Sequence, residues 1–249
     1  MAEFLTGFRD FLAGFGMVLR VPSVRTWALI PMALNTLLLI AFVTAVFLFT
    51  DDVTRWVFGD ASSTWGRIAW WLAWFVTLLL GLLLAVGLML VLSSVVAAPF
   101  YTKLSEAALV HVTGRPVPDP SGPIWKIALV SIAQEIAKLG VFIGVQCLLI
   151  GIGFIPVVGA IFATGVTWML LAFEFADYAL EACGVPVLAR YRFVLAHPGR
   201  CCGFGAGAFV VTLIPLLGIL TAPAAVAGGA RLVARIREEE ASGDRGRAA

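Results

Sequence analysis

The sequence predicts an all-α integral membrane protein: two long transmembrane helices, two re-entrant (hemi-penetrating) helical hairpins and an amphipathic N-terminal helix. Three observations carry that prediction. Hydrophobic residues are 61 % of the 249 and charged residues only 13 %, against about 45–50 % and about 25 % in soluble globular proteins. Mean hydropathy is +1.01. Four stretches contain no Asp, Glu, Lys or Arg, namely Thr26–Thr50, Ile68–Thr102, Leu139–Phe173 and Cys201–Ala230. Each exceeds the roughly 20 apolar residues that a spanning helix needs. Residues 1–240 read as a single membrane domain and 241–249 as a disordered tail.

The first element is a helix over residues 1–20. Phe4, Phe8, Phe11, Leu12, Phe15, Val18 and Leu19 recur at helical spacing, with Arg9, Asp10 and Arg20 off that stripe. Such a face suits a helix lying along the membrane surface, or one packed on the protein itself. Glu3, Arg9 and Asp10 interrupt any compact apolar core, so no cleavable signal peptide is expected.

Residues 26–50 and 68–102 follow as ordinary spanning helices. Pro31 lies near the start of the first, where its ring costs least. Trp65, Trp70, Trp71 and Trp74 gather at one end of the second, with Trp56 in the connection, as in an interfacial aromatic belt.

The remaining runs are broken in the middle. Residues 124–182 form a first hairpin with Pro156 and Gly159 at its tip. Residues 201–237 form a second, in which Pro215 and Pro223 bracket the tip. Proline removes an N–H and clashes with the preceding turn, while glycine permits positive φ. Split at these points, the first uncharged run gives arms of roughly 15 residues, about 23 Å each. That falls short of a hydrocarbon core of about 30 Å.

Charge placement tests the topology independently. Of the 17 Lys and Arg, only Arg55 and Arg67 lie in the Asp51–Arg67 connection; the others flank the four runs on their remaining sides. The positive-inside rule puts those flanks on one face, which hairpins satisfy. Single kinked spanning helices are the competing arrangement, and they place Arg190, Arg192 and Arg200 outside.

The chemistry-bearing residues are few. Cys147, Cys183, Cys201 and Cys202 form no C-x-x-C pair, and His111 and His197 are the only histidines, so neither a metal site nor a cofactor is expected. A net charge of +2 does not suggest nucleic acid as a partner. No G-x-S-x-G, H-E-x-x-H or G-x-x-x-x-G-K-[ST] occurs, so neither an enzyme nor an ATP-driven machine is expected. Glu106, Glu135 and Asp177 flank membrane-embedded helices, where ionisable groups often mark pathways and otherwise serve as structural partners.

Several short pieces occur in order from about Phe8 to Arg237. They include Leu29-Ile30-Pro31 with Asn35, Ala97-Ala98-Pro99-Phe100 with Leu104 and Glu106, and Glu135 with Lys138. Phe154-Ile155-Pro156 with Gly159, Asp177-Tyr178, Phe204-Gly205, Ile214-Pro215-Leu216-Leu217 and Pro223–Gly228 follow. In these the chain resembles the CysZ group of bacterial sulfate-uptake proteins, within the superfamily that includes the etoposide-induced membrane proteins. The resemblance implies two spanning helices with two hemi-penetrating hairpins, and a homo-oligomer in the bacterial inner membrane. It also implies import of inorganic sulfate for cysteine biosynthesis without an ATPase. The family's anion motif is Gly-Leu-Arg or Gly-Ile-Arg before the first long helix. Here the segment is Ser23-Val24-Arg25, with Ser23 in place of glycine and Thr26 in place of a second arginine. Arg25 offers a guanidinium fork suited to oxyanions. Backbone N–H groups at the helix start add donors. A non-transporting membrane scaffold is the competing function.

Overall fold

The computed structural model describes residues 1–59, 63–117, 124–155 and 157–248. Among the described residues it holds eight helices and no strand: α1 (Ala2–Arg20), α2 (Pro22–Phe58), α3 (Thr64–Thr113), α4 (Ile124–Gly153), α5 (Val158–Ala182), α6 (Val187–Ala196), α7 (Pro198–Thr212) and α8 (Pro215–Ala248). The all-helical fold class holds. Three segments are long and apolar enough to cross a membrane: α2, the Thr64–Met89 part of α3, and α5. Among the described residues, Gly140–Gly153 is a further apolar segment, shorter than these three.

The helices run past the uncharged stretches, because a charge does not stop a helix whereas a glycine at positive φ does. α2 ends at Gly59 (φ 72) and α3 at Gly114 (φ 66). The same effect lengthens the arms of the first hairpin beyond the expected 15 residues. α4 has 30 residues and α5 has 25, since both continue into charged sequence.

The contacts divide the chain into two compact units, Leu29–Pro99 and Met1–Ala28 with Phe100–Ala249. Residues 29–99 form a sequence-local pair of helices that packs on itself. There the Trp74 indole donates to Asp51, and Val46 lies against Gly81. Thr50 and Thr54 are buried and turn their hydroxyls back onto the carbonyls of Val46 (2.6 Å) and Thr50 (2.7 Å). Their polar atoms therefore need no other partner.

The larger unit has a different interior. α1 and α5 each pack against both arms of the α7–α8 hairpin. The interface is built from small residues, which let backbones touch. A Cβ at Gly14 would overlap the Ala224 carbonyl, and one at Gly205 the Trp168 carbonyl. Phe11 and Phe204 fill the space between, edge to face at 5.6 Å.

Three sequence expectations change here. The buried face of α1 is Gly7, Asp10, Phe11, Gly14 and Met17. Of the predicted apolar stripe Phe11 is buried, Phe4, Phe8, Phe15 and Val18 are half-buried, and Leu12 and Leu19 are exposed. Glycines that admit neighbouring backbones decide which face goes inward. Pro223 lies inside α8 and is no tip; the chain reverses at Leu213–Ile214, and Pro215 opens α8. The buried run Ala224–Ala227, packed on its neighbours, holds the helix across the proline. Finally, α8 stays helical through Ala248, past the expected boundary at 240. Arg200 pairs with Glu239, and His197 lies 3.3 Å from Glu240, tethering that end.

Candidate functional site

The predicted anion segment lies where α1 hands over to α2. Val21 is extended (φ −100, ψ 111), its N–H still bonded to Met17, and Pro22 opens α2. Proline suits a first helical position, because that N–H would be unsatisfied anyway. Ser23, Val24 and Arg25 make up the first turn. Val24 is fully buried and anchors the turn, while Ser23 and Arg25 beside it are exposed. The Arg25 N–H bonds back to Val21 O at 2.9 Å. The N–H groups of Ser23 and Val24 precede the first intrahelical bond. Thr26 donates its hydroxyl to Pro22 O at 3.0 Å, so it adds no donor. The turn thus offers one guanidinium, one hydroxyl and the amide N–H of exposed Ser23 at the positive end of a helix, the Val24 N–H being buried with its residue.

The three carboxylates occupy different settings. Glu106 pairs within α3 with Lys103, at 2.7 Å and partly exposed. Glu135 is on α4, and its side chain lies outside the described residues. Asp177 is 4 % exposed and both its oxygens are taken: Oδ2 by Lys138 Nζ at 2.7 Å, and Oδ1 by Arg190 Nη1 at 3.0 Å. Arg190, itself buried, also donates Nε to Val185 O at 2.6 Å and lies 3.5 Å from Glu181. Lys138 comes from α4, Asp177 and Glu181 from α5, and Arg190 from α6. The cluster clamps three helices with two charges of each sign, which leaves little net field to steer a passing ion.

At the first tip, Pro156 lies outside the described residues. Gly159 is buried, and a Cβ there would strike Ile152 O, so the two arms meet backbone to backbone. Val157 enters α5 at φ 64, a left-handed conformation unusual for a β-branched residue. Pro215 begins the return arm of the second hairpin, and Pro223 is buried two turns later.

Sequence reasoning missed the ionic contacts that fasten the second hairpin. Asp10 is 1 % exposed and receives Arg231 Nε at 3.0 Å and Arg235 Nη1 at 3.3 Å. The legible signal was Asp10 sharing a helical face with Gly7 and Gly14, opposite arginines spaced i, i+4. At the base of α7, the hydrogen bond from Arg200 holds the Glu239 carboxyl below its usual range and raises the arginine in turn. Among the described residues no group of three His, Cys, Asp or Glu is placed to hold a metal.

A match to the family described as "Sulfate transporter CysZ/Etoposide-induced protein 2.4" covers residues 10–223. The chain belongs to that family. It is 28 % identical to a protein of Pseudomonas aeruginosa (strain LESB58) over 95 % of this chain and 98 % of that one. A Pseudomonas fluorescens (strain Pf0-1) protein is 29 % identical over 96 % and 97 %. One from Vibrio parahaemolyticus is 28 % identical over 90 % and 92 %. All three relatives bear the name sulfate transporter CysZ.

Proposed function

We propose that this protein is a sulfate transporter of the bacterial inner membrane, importing inorganic sulfate for cysteine biosynthesis without ATP hydrolysis. The observation that carries the reading is similarity, over nearly the whole length of both chains, to several proteins named sulfate transporter CysZ. Arg25 captures the anion, with the hydroxyl and amide N–H of Ser23 completing the cradle. Thr26 stands where the family often has a second arginine, which makes that capture weaker.

The two hairpins enter the bilayer and turn back, as elements of a homo-oligomer that encloses the path. Two features support this for the second hairpin. α7 has 15 residues, about 22 Å, against about 30 Å of hydrocarbon. Its partner α8 begins only two residues later. Irregular backbone at membrane depth persists only where protein or water surrounds it, and subunit packing would provide that shelter.

Labelled-sulfate uptake into proteoliposomes of the purified full chain tests the function. The expected result is flux well above empty vesicles, and a drop of at least tenfold in Arg25→Ala, the scale of a charged hydrogen bond of about 1.5–3 kcal/mol. No flux in the parent protein overturns the transport reading and leaves the membrane scaffold. Equal flux in parent and variant removes Arg25 from the site.

A further inference from the structure

The ends of α3 and α8 and the turn after α5 enclose a cleft of about 370 Å³. Its apolar walls are Leu109 and Ala234, both almost fully buried, with Pro116 and Val117. Arg115 and Arg237 line it from opposite elements, and among the described residues neither has an ion-pair partner. Thr113 fixes the turn that presents Arg115, accepting its N–H at 3.2 Å while donating to Leu109 O at 2.8 Å. Glu238 is the one carboxylate on the lining, and Cys183 brings a free thiol.

Two uncompensated guanidiniums around an apolar-walled cleft are the recognition elements of an anion with a carbon body. Location decides between a lipid headgroup and a soluble ligand. Arg237 lies seven residues beyond Ala230, the last residue of its uncharged run. On a helix that is about 10 Å. Arg115 lies further still beyond Thr102. Both arginines therefore lie past the uncharged parts of their helices, which argues for a soluble ligand over a headgroup.

We infer that this cleft is a binding site for a small, soluble organic anion, separate from the first turn of α2. An apolar part of the ligand rests on Leu109, Pro116, Val117 and Ala234, and its carboxylate, phosphate or sulfonate spans Arg115 and Arg237. Glu238 opposes the charge and limits affinity. The inference is independent of whether sulfate crosses the membrane.

The test uses the full-length protein in detergent, with phenyl phosphate as probe. The readout is the rate of N-ethylmaleimide labelling of Cys183, located by mass spectrometry, with exposed Cys147 as internal reference. Phenyl phosphate is expected to slow Cys183 labelling at least fivefold and to leave Cys147 unchanged. Inorganic phosphate, which lacks the carbon body, and benzyl alcohol, which lacks the charge, should each protect at least tenfold less well at equal concentration. Protection should disappear in Arg115→Gln/Arg237→Gln, whose elution volume should match the parent because both side chains are exposed and unpaired. Glu238→Gln should halve the protecting concentration or better. Failure of phenyl phosphate to protect, or equal protection in the double variant, overturns the site. In nanodiscs, protection by phosphatidylglycerol alone, relative to phosphatidylcholine, overturns the soluble-ligand assignment in favour of a headgroup.

Discussion

The helix pair of residues 29–99 and the bundle of α1, α5, α7 and α8 solve the same problem with opposite residues. The pair turns large side chains outward: Leu37, Ile40, Leu80, Leu83 and Leu84 are all more than half exposed. Lipid accepts them, so little is gained by helix-to-helix burial. The bundle instead closes on glycine and alanine, with Ala176, Ala179, Ala227 and Ala230 fully buried. Apolar burial is no driving force between helices in lipid, so close backbone packing and ionic contacts must hold this unit together. A lipid-facing glycine such as Gly87 should therefore be replaceable, and a backbone-packed one such as Gly205 indispensable.

The same substitution in each region gives the largest expected contrast. Gly205→Ala drives a methyl into the Trp168 carbonyl, and backbone cannot swing aside as a side chain can. We expect a loss of about 3 kcal/mol or more, read as a collapsed thermal midpoint or a lost monodisperse elution peak. Gly87 on α3 has nothing within 4 Å of the added carbon. Gly87→Ala should leave stability unchanged or raise it by about 0.5–1 kcal/mol through helix propensity. Equal losses in both variants would break the distinction between lipid-facing and glycine-packed helices.

Much of this architecture was legible because it rests on covalent or compositional facts. Uncharged length marked the long helices, and proline at 215 marked a reversal, since a missing N–H is costless only where a helix begins. The face of α1 was only partly legible from hydropathy: Phe11 is buried and Phe4, Phe8 and Phe15 are half-buried, but Leu12 and Leu19 are exposed. Phenylalanine spacing pointed to one stripe, yet Gly7 and Gly14 decide the packing through space they leave empty, which no hydrophobicity scale records. Asp10 was misjudged for a related reason: its burial depends on Arg231 and Arg235, more than two hundred residues away in sequence. Likewise the expected helix began at residue 26, after Ser23–Arg25, whereas α2 begins at Pro22 and takes that segment into its first turn. The saturation of Asp177 depends on α4 and α6 folding against α5.

Ion pairs extend the comparison at intermediate size. Asp177 is buried between Lys138 and Arg190, whereas Glu106 shares Lys103 at a wetter surface. Removing one member of a buried cluster strands charge, costing about 3–5 kcal/mol, while exposed pairs contribute about 0–1 kcal/mol. Asp177→Ala should therefore lower the thermal midpoint sharply, and Glu106→Ala by little. Asp177→Ala should also remove sulfate uptake only in proportion to the folded fraction. A well-folded Asp177→Ala protein without uptake would give the aspartate a part in the permeation path instead of the clamp.

The smallest effect comes from the tether of α8. Arg200 holds the Glu239 carboxyl below its usual range, so the folded state binds that proton less readily than the unfolded chain. Stability from this pair is fully present above the ordinary carboxylate range, and it fades as pH falls through the lowered value. Glu239 is about half exposed, at 53 %, so screening keeps the contribution below about 1 kcal/mol. Thermal midpoints of the parent and Glu239→Gln, followed from pH 7 downward, should differ by a small constant amount near neutrality. They should converge once the parent carboxylate is protonated. A gap that widens on acidification would mean that Glu239 repels its surroundings, and that the helical end of α8 is held by something other than Arg200.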